Sequence, residues 1–144
     1  MPVLTVRSTG ELDAVHDGER LVGHGSVVER QLLHAERALR AGYVEAVAVA
    51  PDRRRRGVAT AVMAALERAI RAEHDLGALS ASDDGAGLCA ARGWLLWRGP
   101  TSVLAPDGLR RTPEDDGSVH VVPVRVPLDP DGELTCDRRE GDVW

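Results

Sequence analysis

Apolar and polar positions alternate over Leu12-Asp13-Ala14-Val15-His16 and again from Leu21 to Val28, with Asp17-Gly18-Glu19 between the two runs. Alternation with period two puts one face of a strand in a core, and a glycine-bearing turn between two such runs predicts an antiparallel hairpin. Glu29 to Arg40 has helical propensity but joins that hairpin to the next strand, so it is read as a strand extension and a loop. Tyr43 to Val49 is apolar except for Glu45, ends before Pro51, and predicts a central strand. From Gly57 to about His74 the positions Val58, Ala61, Val62, Ala65, Leu66, Ala69 and Ile70 recur at spacings of three and four. That is an amphipathic helix, with Glu67, Arg68, Arg71 and Glu73 on the face expected to be exposed. Leu76 to Ser80 reads as a short strand, Asp83-Asp84-Gly85 as a helix start, Ala86 to Arg92 as the helix and Gly93 as its stop. Trp94 to Trp97 begins another strand, Pro106-Asp107-Gly108 and Pro113 to Gly117 are turns, and Ser118 to Val126 is the last clear strand. The order β-β-β-α-β-α-β-β predicts an α+β domain whose mixed sheet contains one βαβ unit between hairpins.

Composition fits one globular domain over residues 1–144, since 43% of the chain is apolar. With three Trp, one Tyr and no Phe, the core has to be built from Val, Leu and Ala. The net charge of -5 is unevenly placed, because the acidic surplus falls in residues 107–144. That segment repels nucleic acid and suits a polycation. Cys89 and Cys136 are too few for a disulfide framework, the histidines lack metal-ligand spacing, and no metal is expected. No apolar run approaches the length of a membrane span and Met1 to Gly10 has no signal-peptide pattern, so a cytoplasmic protein without a membrane partner is expected.

The chemistry concentrates where the central strand meets the first helix. Arg53 to Arg56 and Gly57 form a cationic turn there, and a helix N-terminus reached past a glycine is a plausible diphosphate cradle. The turn lacks the Gly-Lys-Ser or Gly-Lys-Thr of a nucleotide P-loop and the repeated glycines of a dinucleotide fold. Glu45 is a carboxylate in an otherwise apolar strand, where the plain expectation is an acid that reaches water or pairs with an Arg. On a regular strand it would share a face with Val47.

Arg54-x-x-Gly57-x-Ala59, between strand and helix, resembles the pyrophosphate loop of the GNAT superfamily of acyl-CoA-dependent N-acetyltransferases. Tyr43 to Val49, Leu76 to Ser80, Ala91-Arg92-Gly93-Trp94-Leu95, Gly99 to Pro106, Thr112 to Gly117, and Cys136-Asp137 with Gly141 to Trp144 narrow the likeness. In their order along the chain these blocks resemble the aminoglycoside 2'-N-acetyltransferases.

The resemblance implies a GNAT fold, a mixed and mostly antiparallel sheet flanked by helices. It would be N-terminally shortened, because only Met1 to Gly10 precedes the first hairpin. An acetyl-CoA core would span about 43–98 and an acidic acceptor-side segment about 107–144. Acetyl-CoA would be the co-substrate, and its acetyl group would pass directly to the 2'-amine of an aminoglycoside, inactivating the antibiotic without an acetyl-enzyme. Glu45 would be the general base, working through water, and the Val47 backbone N–H the oxyanion donor. Val47, Ala48 and Val49 would hold thioester and pantetheine, while Arg54, Arg55, Arg56, Gly57, Val58 and Ala59 would hold the diphosphate. Glu45, Ala46, Ser80, Glu114, Asp115, Asp142 and Trp144 would contact the acceptor. Cys89 stands where the family carries a tyrosine suited to protonate the leaving thiolate; it either takes that role or is an inert buried thiol. A homodimer is expected. The alternatives are the same fold acting on another small amine or a peptide N-terminus, and a shortened domain that binds acyl-CoA without turnover.

Overall fold

The computed structural model of the chain describes residues 4–9, 12–55 and 57–144. Among them the order is β1 (Leu4–Ser8), β2 (Leu12–Asp17), β3 (Arg20–His34), β4 (Arg37–Val49), α1 (Val58–Glu73), β5 (Leu76–Ser80) and α2 (Asp83–Ala91), then β6 (Leu95–Leu96), β7 (Thr101–Ala105), β8 (Gly108–Arg111), β9 (Val119–Pro123) and β10 (Leu134–Cys136). Short 3-10 turns occupy Pro51–Arg53 and Pro113–Asp115. All the strands join one sheet in the order β6-β9-β5-β4-β3-β10-β7-β8, with β2 pairing β3 and β1 pairing β2. Only β4 with β5 and β10 with β7 run parallel, so the sheet is mixed and mostly antiparallel as expected.

The hairpin of β2 and β3 closes at Gly18, whose φ of 62° is the left-handed conformation a tight turn requires. The loop expected after it does not form. β3 continues to His34, the chain reverses through Ala35 and Glu36 at φ 50° and 63°, and β4 begins at Arg37. Paired positive φ values are those of a two-residue turn that matches strand twist, so hairpin pairing overrides the local helical propensity. Four strands were not predicted: β1, β7, β8 and β10. They are short, and β10 enters the sheet between β3 and β7 from a stretch that reads locally as loop.

Two apolar layers hold the sheet. One gathers Leu32, Leu39, Ala41, Tyr43, Trp97, Leu134 and Trp144 beneath the C-terminal segment. The other gathers Val15, Val27 and Val44 against α1, and includes Cys89 of α2. The sheet is smooth beneath α1: a Cβ on Gly25 would come within 2.9 Å of both Leu66 Cδ1 and Val62 Cγ1. That close approach fixes how near the middle of α1 lies to the sheet. Glu67, expected on the exposed face, is only 2% exposed. It receives hydrogen bonds from Arg92 Nε at 2.7 Å and Trp94 Nε1 at 3.1 Å, because the chain after α2 folds back over α1.

Candidate functional site

β4 pairs β5 only across Ala41–Tyr43, so beyond Tyr43 one edge of β4 has no strand partner among the described residues. On its other side β4 pairs β3 as far as Val49, with a register shift between His24 and Ser26. There Ala46 and Val47 stand opposite the single residue Gly25, and Ala46 takes a φ of 54°. The extra residue reverses the side-chain phase of the strand. Glu45 stays on the Tyr43 face, whereas Val47 Cγ2 lies 3.2 Å from where a Gly25 Cβ would stand, on the α1 face. The shared face expected for Glu45 and Val47 is therefore corrected by a bulge. Val47 remains 40% exposed, and the strand edge from Val44 to Val49 is open to an extended ligand.

The open edge runs toward the start of α1. Gly57, at φ 81°, is the N-cap; no side chain caps the helix and no acid lies in its first turn. Its first N–H groups thus remain available to an anion. Arg53 is tied to Asp17 and Asp52, while Arg54 and Arg55 are exposed and have no ion-pair partner among the described residues. Arg56, expected in the same cradle, lies outside the described residues. The Val58 side chain is buried, so its contribution there is limited to its main chain.

On the opposite face of the strand the expected acceptor residues Glu45, Ala46, Ser80, Asp142 and Trp144 line one cleft of about 440 Å³. Tyr43, Arg139 and Glu140, not singled out from the sequence, line it too. Asp115 and Glu114 lie outside that lining, in the turn after Thr112, whose hydroxyl accepts the Trp144 indole N–H at 3.1 Å. Burial pushes the Asp115 carboxyl up, and the negative charges of Glu114 and Asp142 push it further. Trp144 is 5% exposed and belongs to the core. Its segment is strapped to β3 by buried Arg30, which bonds Asp137 Oδ1 at 2.8 Å, the Asp137 carbonyl at 2.8 Å and the Val143 carbonyl at 2.6 Å.

Glu45 is paired with Arg139. The Arg139 guanidinium lies 5.1 Å from the centre of the Tyr43 ring, with that of Arg30 at 4.8 Å. Burial raises the Tyr43 hydroxyl to about 12, although both cations oppose the shift. Cys89 is not brought to the cleft. It sits in the α1-side core at 4% exposure, and burial followed by the Glu67 charge pushes its thiol up. Among the described residues no cluster of His, Cys, Asp or Glu has the makings of a metal site.

The acetyltransferase (GNAT) domain family matches residues 7–94. An aminoglycoside 2'-N-acetyltransferase of Mycolicibacterium fortuitum is 56% identical, with 86% of this chain and 66% of that protein covered. This chain thus spans slightly less than two thirds of that relative's length. A GNAT family N-acetyltransferase from Escherichia coli, solved in complex with CoA, has a TM-score of 0.60 at 14% identity, covering 87% of this chain and 66% of the other. A GNAT family acetyltransferase from Brucella melitensis, solved with acetyl-CoA, has a TM-score of 0.55 at 13% identity, covering 85% and 63%. At those identities the likeness concerns the fold. A family match across more than half of the chain agrees with the bulged β4, its one-sided edge and the uncapped start of α1, and the chain belongs to the GNAT acetyltransferase family.

Proposed function

We propose that this chain transfers an acetyl group from acetyl-CoA to the 2'-amine of an aminoglycoside, inactivating an antibiotic in the cytoplasm. The observation that carries this reading is the bulge at Ala46, which sets a carboxylate-rich cleft on one face of β4 and an open strand edge leading to an uncapped helix on the other. The relative that shares 56% identity is named for the same reaction. Free, buried Cys89 and Cys136 suit a reducing compartment.

Acetyl-CoA supplies an acetyl group activated as a thioester. In this reading the main chain of Val47, Ala48 and Val49 binds the extended part of the co-substrate along the unpaired edge. The N–H groups of Gly57, Val58 and Ala59, with the Arg54, Arg55 and Arg56 side chains, bind its diphosphate. The Val47 N–H is the donor to the carbonyl oxygen, a contribution worth about 3 kcal/mol where such a donor is preorganised. Asp142, Glu114 and Asp115 attract the ammonium groups of the acceptor, Ser80 and the Ala46 main chain bind its hydroxyls, and Trp144 walls the cleft. Glu45 takes up, through water, the proton that the 2'-ammonium must lose before its lone pair can attack.

Thiol release by the purified full chain tests the reaction. Turnover with aminoglycosides carrying a 2'-amine and none with 2'-hydroxy analogues is expected; turnover with peptides, or acetyl-CoA binding without turnover, overturns it. Glu45→Gln keeps the shape of the side chain and removes the base. Its rate should fall about 10²-fold or more near neutrality, with the deficit shrinking as rising pH frees the amine unaided. An equal rate at every pH would exclude Glu45 as the base.

A further inference from the structure

The cleft already holds a cation of its own. Arg139 pairs with Glu45, lies over the Tyr43 ring at 5.1 Å, and donates from Nε to the Asp142 carbonyl at 2.7 Å. Carboxylate, aromatic face and carbonyl are the groups an ammonium ion seeks. Arg30 stands over the same ring at 4.8 Å, but the two cations are held differently. Arg30 is buried and fixed by its bonds to Asp137 and Val143. The Arg139 side chain is 30% exposed, and burial together with the Arg30 charge pushes its pKa down from the ordinary guanidinium value. Beside them the Tyr43 hydroxyl is buried with no hydrogen-bond partner, although Tyr43 lines the cleft. A buried polar atom left in that state leaves room for a bond that an incoming ligand can make.

We propose that Arg139 is a resident stand-in for the acceptor's ammonium group: it occupies Glu45 in the free protein, must be displaced by the incoming amine, and so lowers the affinity of every acceptor, leaving useful binding to those that carry several positive charges. The inference rests on the acceptor reading of the cleft given above. An acceptor with one amine exchanges one ion pair at Glu45 for another and gains little. A polycation also engages Asp142 and Glu140, which offsets the loss of the Arg139 contact. Arg139 therefore sets a threshold of affinity that an acceptor must exceed through its other contacts, and it acts by occupying Glu45.

Calorimetry on the full chain without acetyl-CoA tests this, comparing a polycationic 2'-amino aminoglycoside with glucosamine, which carries a single amine. Arg139→Gln should bind both sugars more tightly than the unaltered chain, each by at least about ten-fold, since neither then has a cation to displace. Arg139→Lys, which keeps the charge, should keep both affinities near those of the unaltered chain. In the unaltered protein the Arg139 Nε–H resonance, assigned by its loss in Arg139→Lys, should shift when the aminoglycoside saturates the cleft. An unmoved resonance, or Arg139→Gln weakening both ligands alike as a loosened strap would, overturns the proposal. Binding of this pattern without acetyl transfer would overturn the proposed reaction and leave the role of Arg139 standing. Turnover with neither affinity raised in Arg139→Gln would do the reverse, and no binding of either sugar by any of these proteins would overturn both.

Discussion

Cys89 and Glu67 share one small volume beside Trp94, and their chemistry there is fixed by what surrounds them. Burial pushes the Glu67 carboxyl up, but the hydrogen bonds of Arg92 and Trp94 outweigh it, so Glu67 stays ionised below its ordinary value. Its charge adds to burial in keeping the Cys89 thiol protonated. That thiol is 4% exposed and does not line the cleft. Cys89→Ala is accordingly expected to leave kcat within about two-fold, whereas loss of a true general acid costs about 10²- to 10⁴-fold. A fall on the larger scale in steady-state assays would return the thiol to the acid's role. Glu45 was recognisable in the sequence because a carboxylate breaks an apolar strand. Its partner Arg139 was not, since the two lie 94 residues apart and no local pattern joins them. Arg30 was hidden in the same way, reaching the closing segment across 107 residues.

At the level of elements, α1 is positioned by what the sheet leaves out. Gly25 lies under Val62 and Leu66 and opposite the bulge, so a methyl group there presses on the helix and on Val47 together. Gly25→Ala is expected to cost about 1–3 kcal/mol, the usual range for overpacking a filled core, and to raise KM for acetyl-CoA more than it lowers kcat. Urea midpoints and steady-state kinetics read the two effects; an unchanged midpoint would mean that the helix has slack. The helix itself was legible because its period of three and four extends over four turns, and so were β2, β5 and β9, which are apolar between turn signals. The bulge was not, because an extra residue changes register without changing composition. The turn at Ala35-Glu36 was missed for a related reason: neither residue is a usual choice for positive φ, and only the long pairing of β3 with β4 imposes it.

Across the whole molecule, a run of hydrogen bonds ties the floor of the cleft to the far edge of the sheet. The Trp144 indole donates to Thr112 Oγ1 at 3.1 Å, and that hydroxyl donates to Thr101 Oγ1 at 2.9 Å. Thr101 Oγ1 lies 2.9 Å from Asp116 Oδ1 and 3.0 Å from the Thr112 carbonyl, with one proton to give between them. Asp116 also accepts the Thr101 backbone N–H at 3.0 Å and an Arg111 N–H at 2.7 Å. The Arg111 hydrogen bond, then that of the Thr101 backbone, holds the Asp116 carboxyl well below the usual carboxylate range. A depressed folded value contributes stability that is fully present above the unfolded value of about 3.9 and is lost as pH falls toward the folded one. Asp116→Asn lacks that contribution, so the gap in urea midpoint between it and the unaltered chain should be widest near about pH 7 and narrow by about pH 3. Because Trp144 stands at the other end of the run, the same substitution should also weaken aminoglycoside binding at neutral pH, although position 116 lies outside the lining of the cleft. Parallel stability curves for the two proteins would show that Arg111 and Thr101 hold the region without the charge. A weakened Kd alongside such curves would then have to come from the position of Trp144 alone, and the indole fluorescence of a Thr112→Val variant, which removes the hydroxyl and keeps the branch, would read that position directly.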